Sequence, residues 1–369
     1  IVFVEGVIIL ILVLTGLREA IMNAIPMDLK RAIGVGIGIF ITVIGLAEGG
    51  IIRPQPITLV TLGDFTQPYV WVTLIGVLAI LTFTALRCKA SILWGIVIAA
   101  VAGILMGLVK APDKIVGAPD FSTFFAPFQT IDGTPAILRV LTPALALAVF
   151  SLMLTDFFDT MGTVVAVGGP AGFLEPDGKV KGIKGILVID SVGAAAGGLF
   201  GGSSITSYIE SAAGVADGGR TGLTVIVTGL LFVVAAFFSP LMAVIGGGFQ
   251  IPNAQEYALL VNAGFTTPPG TFFVYPVTAG ALIVVGFLMM KVVREIAWDN
   301  FEESFPAFLT IIGIPLTYSI SYGIGFGFIS YVVIKLLHRK WRDVHPLMYV
   351  VSVAFLAAFL MPLLEKLAR

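Results

Sequence analysis

Phe200-Gly-Gly-Ser-Ser-Ile-Thr-Ser-Tyr-Ile-Glu-Ser-Ala-Ala-Gly214 lies between long apolar runs and is itself too short and too polar to cross a bilayer. The stretch 203–217 reads as a broken element. Ser203 to Ser207, β-branched and hydroxylated, are expected to be extended, with a half-helix from about Tyr208. Irregular backbone at membrane depth survives only where protein or a water-filled cavity satisfies its N–H and C=O groups. A half-helix there also presents free N–H donors and the positive end of its dipole. A discontinuous segment carrying Glu210 is therefore read as a cavity wall.

The surroundings fit that reading. Hydrophobic residues make up 58% of the 369, charged residues 12%, and mean hydropathy is +1.05, a balance that cannot cover a soluble domain with charge. Apolar runs repeatedly reach the ~20 residues a helix needs to span hydrocarbon, and no alternating strands of a barrel are seen. Spans are predicted near 1–17, 31–49, 67–86, 89–109, 137–166, 183–201, 221–246, 271–293, 304–319, 321–337 and 345–366. With the loop after the first span cytoplasmic, 15 of the 21 Lys and Arg, Arg18 and Lys335 among them, fall inside and six outside. A net charge of −1 gives no basic surface for nucleic acid, and the lone Cys88, between Arg87 and Lys89, allows no internal disulfide. The chain opens on Ile1 inside an apolar run with no signal-peptide pattern, so it is expected to begin partway through a longer protein.

Acids inside such spans cost roughly 2.5–3.5 kcal/mol each on insertion scales and point to function. Leu154-Thr-Asp-Phe-Phe-Asp-Thr-Met-Gly162 places Asp156 and Asp159 three apart on one helix face, with Gly162 and Thr163 beside Asp159. A buried acid that exchanges a proton near neutral pH is what proton coupling requires, and Asp159 is expected to be that acid. The Glu210 carboxylate can accept two N–H donors side by side, which suits the edge of a nucleobase, and Tyr208, Thr206 and Ser207 add orienting groups. Asp190 is a third buried acid, with networking and coupling roles both open. Asp156 divides evenly between a local pairing role and the site. Glu5 and Glu48 lie near span ends and are expected to reach water. His338 and His345 do not make a metal site. Gly193-Ala-Ala-Ala-Gly197-Gly198-Leu-Phe-Gly201-Gly202 is a small-residue stripe for close helix packing. Pro68-Tyr-Val-Trp-Val-Thr-Leu-Ile-Gly76 is faintly echoed by Pro306-Ala-Phe-Leu-Thr-Ile-Ile-Gly313, as a duplicated transporter would leave.

Thr155-Asp-Phe-Phe-Asp-Thr-Met-Gly162, Gly201-Gly-Ser-Ser-Ile-Thr-Ser-Tyr-Ile-Glu-Ser-Ala-Ala-Gly-Val-Ala-Asp-Gly-Gly-Arg-Thr-Gly222, Pro306-Ala-Phe-Leu-Thr-Ile and Trp341-Arg-Asp-Val-His-Pro346 resemble the AzgA-like purine permeases of the nucleobase:cation symporter-2 family. The resemblance implies an all-α polytopic membrane protein of fourteen segments, in two inverted repeats of seven that divide into core and gate domains. Matched to that plan, the chain begins at the fourth segment. Residues 1–30 then close the first core, 31–109 are its gate segments and 110–136 an extracytoplasmic loop. Residues 137–246, with the broken helix 203–217, are the second core, 271–337 its gate segments and 345–369 the C-terminal helix. The implied activity is proton-coupled import of hypoxanthine, guanine or adenine across the cytoplasmic membrane. By motif matching Asp159 takes the eighth-segment acidic position and Glu210 the tenth-segment one, with Thr163 and Tyr208 as secondary contacts. The proton is the coupling ion, sodium an alternative, and no other cofactor is expected. Purine, lipid and a second copy of the chain are the implied partners.

Two other readings have distinct signatures. An anion carrier of the same fold would want a positive half-helix end without Glu210, which would repel its substrate. An intramembrane aspartyl protease would carry Gly-x-Gly-Asp, where this chain has only Thr61-Leu62-Gly63-Asp64, so no enzymatic activity is expected.

Overall fold

The computed structural model describes residues 1–55, 58–131, 134–173, 175, 179–246, 248–251 and 272–367. The chain is mostly helical. Helices α1 (Val2–Leu14), α2 (Leu17–Ala24), α3 (Met27–Glu48), α4 (Pro68–Ala85) and α5 (Ser91–Leu105) precede the long α6 (Pro143–Ala171) and α7 (Ile183–Leu199). Then come the short α8 (Ser211–Ala216), α9 (Gly222–Ala236), α10 (Ser239–Gly246), α11 (Pro276–Met289), α12 (Phe301–Thr317), α13 (Ile320–Leu337) and α14 (Pro346–Leu367). Small antiparallel pairs, β1 (Ile52–Gln55) with β2 (Leu59–Leu62), β3 (Thr130–Ile131) with β4 (Thr134–Pro135), and β5 (Phe249–Ile251) with β6 (Phe272–Val274), lie in the connections.

Local chemistry sets the helix ends. Pro68 and Pro143 stand where a helix has no N–H to lose, each after an extended residue. The Asn300 side chain accepts from the Glu302 amide and caps α12. Gly16 and Gly172 adopt left-handed backbone, with φ of 76° and 77°, and turn the chain after α1 and α6. Among the described residues, α3, α4, α13 and the run Pro276–Glu295 are long and apolar enough to cross a membrane. The 29 residues of α6 extend about 44 Å, also more than the hydrocarbon requires. The run 221–246, expected as one span, is instead bent by 99° between α9 and α10. Pro240 at the start of α10 explains the break, since it supplies no N–H to continue the α9 ladder. In the sequence echo, Pro68 opens α4 whereas Pro306 lies inside α12.

The helices group in two compact units. One comprises Ile1–Ile39, Asp120–Ala216 and Met289–Arg369, the other Phe40–Pro119 and Asp217–Leu288. In the second, α4 packs on α5 around the buried Val72, Ala99 and Val277. In the first, Phe158 of α6 meets Phe328 and Phe355 with ring centroids 5.8 and 5.1 Å away. Here α7 lies against α1 at backbone distance. A Cβ on Gly6 would collide with Ala195, and one on Gly198 with Phe3. The small-residue stripe of α7 thus meets α1 along one edge. Its Gly193 and Gly197 receive Ile205 and Ser203 of the broken element along another.

Candidate functional site

The site is built on α6, α7 and the irregular residues between α7 and α8, all in the first unit. After Leu199 the chain turns at Gly201 (φ 80°) and runs without regular structure from Ser203 to Tyr208. It can lie this close because a side chain at Gly197 would strike the Ser203 carbonyl. The half-helix begins later than the sequence suggests, at Ser211. Glu210 stands in the turn just before it, exposed, and its carbonyl accepts the Ala213 amide at 3.0 Å. Ser207, whose amide and hydroxyl are both bonded to Asp190, cannot give that amide to a helical ladder, and regular helix begins only beyond it.

The bond that holds the segment comes from Asp190. Its Oδ1 accepts the Ser207 backbone amide at 2.7 Å and the Ser207 hydroxyl at 3.0 Å. Its Oδ2 accepts Thr160 Oγ1 of α6 at 2.8 Å and Arg18 Nη1 of α2 at 3.2 Å. Four donors saturate this carboxylate, and the Arg18–Asp190 pair is wholly shielded, with neither side chain exposed. A buried ion pair is tolerable when its remaining lone pairs are hydrogen-bonded, as these are. Arg18 Nη1 also donates to Ser191 Oγ at 3.3 Å, and its guanidinium lies over the Phe157 ring, 5.2 Å from the centroid.

This arrangement corrects the reading of Arg18 as a cytoplasmic-loop charge. The turn at Gly16 folds α2 back so that Arg18 meets an acid needing a counter-charge. Lys335, assigned to the same loops, is likewise buried in α13, 2.8 Å from Glu302 and 3.0 Å from Glu303. Glu5, expected to reach water, is 1% exposed in α1, because the glycine contact draws that helix flush against α7.

Asp156 contrasts with Asp190. It is 6% exposed, and neither carboxylate oxygen has a hydrogen-bond partner among the described residues. The Ser204 hydroxyl lies beside it as a weak donor that falls short of full hydrogen-bond geometry. Asp159, one turn on, is half-buried and lies within electrostatic reach of Asp156, Asp190 and Glu210. Thr163, 3% exposed, follows on the same face. Tyr208 is 44% exposed, and Thr206 and Ser207 are half-buried. The packing of α8 on α6 brings the two motifs together.

Asp156, Asp159 and Asp190 lie within electrostatic reach of one another, Ser207 is bonded to Asp190 and the exposed Glu210 is within reach of Asp159, while Thr163 shares the Asp159 face of α6. Sequence reasoning missed Arg18, Thr160 and Glu5. The available signal was charge balance, since three acids in adjacent spans call for a cation and Arg18 directly follows an apolar run. No group of three His, Cys, Asp or Glu among the described residues could hold a metal ion. What the junction offers a ligand is acceptors, two carboxylates on opposite elements, beside hydroxyls and the Tyr208 ring.

Comparison with known proteins places this junction in context. Residues 1–248 match the Permease family. The chain is 40% identical to the guanine/hypoxanthine permease PbuG of Bacillus subtilis, over 97% of its own length and 74% of that protein's. It is 36% identical to the adenine permease AdeQ of Escherichia coli K12, over 94% of the chain and 70% of the relative. It is 32% identical to the nucleobase transporter PlAzg2 of Paenibacillus larvae, over 90% and 59%.

Proposed function

Because the chain belongs to the Permease family, and is thus a multi-pass membrane transporter rather than an enzyme, we propose that it carries purine nucleobases across the cell membrane together with a proton. The observation that supports this most is the broken element. Ser207 is tied to Asp190, and Glu210, three residues further on, lies within electrostatic reach of Asp159 of α6.

In this mechanism Glu210 accepts adjacent N–H donors of the purine, and the Tyr208 ring and Thr163 hydroxyl orient the base. Asp159 holds the coupling proton and touches the base directly or through water. With Asp159 protonated, the like charges of Asp159 and Glu210 no longer oppose each other across the junction. Proton and base therefore favour the same occluded state, and each tightens binding of the other. The core domain then moves against the gate domain, opening the site to each side in turn. Thr206 and Ser207 shape the wall, and the acceptor-rich lining disfavours an anion in the same place.

Uptake of labelled hypoxanthine and adenine is the test, using cells that lack their own purine carriers and express the protein. Wild type is expected to accumulate base, and Asp159→Asn and Glu210→Gln to lose accumulation while still reaching the membrane. Undiminished, proton-dependent uptake by both variants would end the assignment.

A further inference from the structure

The junction contains one buried cation and two buried acids, and only one of the acids is satisfied. Arg18 uses a single nitrogen, Nη1, on Asp190 and Ser191. Its Nε and Nη2 have no hydrogen-bond partner among the described residues, and neither has Asp156 Oδ1 or Oδ2. Arg18 and Asp156 nevertheless interact electrostatically across the space between α2 and α6. Unused donors of a guanidinium fork and an unused carboxylate, both on buried residues, thus lie within electrostatic reach of each other, with the guanidinium seated over Phe157, the residue next to Asp156. The fork geometry matches a carboxylate two bonds at a time. An Arg on a long side chain with two acids in reach has two discrete arrangements, which is what a switching element requires.

We propose that Arg18 is a positioning residue of the carrier site that alternates between two partners, Asp190 in the state described here and Asp156 in the opposite state of the transport cycle. The proposal rests on the purine-carrier reading and adds a device to it. Asp190 is prepared for the exchange, since Thr160 and Ser207 continue to donate to it when Arg18 leaves. The exchange transfers positive charge from the element that pins Ser207 to the helix that carries Asp159. It thereby changes the hold on the segment leading to Tyr208 and Glu210. The guanidinium interacts with Asp190 of α7 and Asp156 of α6, and those two acids are linked in turn to Glu5 of α1, which feels Asp156, to Asp159 of α6, which feels both, and to the Ser204 hydroxyl of the broken element, beside Asp156. Phe157 gives the guanidinium an aromatic face in its present position.

The test uses the protein in liposomes, comparing wild type, Asp156→Asn and Arg18→Lys for hypoxanthine binding and for net uptake as a function of pH. Removing the second partner is expected to leave binding within about threefold of wild type while net turnover falls about tenfold and the pH profile flattens. Arg18→Lys keeps the charge but not the fork, and is expected to show the same split with a smaller loss. Asp156→Glu, which restores the carboxylate, should recover most of the turnover. Unchanged turnover and pH profile in Asp156→Asn would overturn the exchange, as would equal losses of binding and turnover. Should Asp156→Asn not accumulate in the membrane, unchanged turnover in Arg18→Lys contradicts the exchange equally. Absence of hypoxanthine binding in wild type would count against the purine reading instead. The exchange is then judged from thermal stability, where Arg18→Lys and Asp156→Asn must be coupled, and additive effects would refute it.

Discussion

Arg18 and Asp190, 172 positions apart in the chain, meet at 3.2 Å with neither side chain exposed. The same carboxylate ties α6 through Thr160 and the broken element through Ser207, so one acid fixes the geometry of three elements around the junction. Asp159 and Glu210 are presented by two of those elements.

Breaking the pair on one side leaves the other charge buried. Arg18→Gln, which takes the cation away from Asp190, is expected to lower stability by about 3–5 kcal/mol, as removal of one member of a buried pair does. The double variant Arg18→Gln with Asp190→Asn should recover part of that loss, because no charge is then stranded. Thermal unfolding of the purified protein in detergent measures both.

Ser207 donates twice to Asp190, and only one of these bonds involves its side chain. Ser207→Ala retains the backbone amide bond, so the expected cost is about 0.5–1.5 kcal/mol, with a rise in KM for purine uptake and little change in membrane insertion. Ser207→Pro removes both donors and should abolish uptake. Concentration-dependent uptake separates the two variants.

Two glycines on α7 provide an internal comparison. A Cβ on Gly197 would run into the Ser203 carbonyl, so Gly197→Ala should displace the broken element and impair uptake. Gly185 has nothing within 4 Å of such a Cβ, so Gly185→Ala should be neutral or stabilising by up to about 1 kcal/mol through helix propensity. Uptake and thermal unfolding of the two variants, measured side by side, check the contrast.

Outside the spans, Asp64 precedes α4 and accepts from the Thr66 hydroxyl at 2.6 Å, the Gln67 side chain at 3.0 Å and the Thr66 amide at 2.9 Å. These bonds favour the ionised form and lower the pKa from 3.8 to about 2. A group lowered in the folded state contributes stability that is fully present above pH 3.8 and lost as pH falls through about 2. Protection of the Thr66 amide from hydrogen exchange should therefore persist at pH 4 and weaken near pH 2, and Asp64→Ala, which has no acceptor, should remove it at both.

Much of this architecture was legible in the sequence. A glycine- and hydroxyl-rich stretch such as 200–210 cannot fill a span, so the break after α7 followed from composition, as did the close packing of the Gly193–Gly198 stripe. Three features were not legible, each for a physical reason. Hydropathy runs smoothly across 221–246, and a Ser-Pro step carries little weight in such an average although it ends a helical ladder. The start of α8 at Ser211 depends on Asp190 holding Ser207 straight, a tertiary bond with no local sequence signal. Arg18 looks like a loop charge because charges at span ends usually reach water. Only the fold back at Gly16 shows that it turns inward.

Uptake of labelled hypoxanthine by the purified protein in liposomes, driven only by an imposed proton gradient, tests the central claim most directly. The account predicts accumulation that collapses when a protonophore is added and is lost in Asp159→Asn. Equal accumulation with and without the gradient, or full gradient-driven uptake by Asp159→Asn, would contradict it.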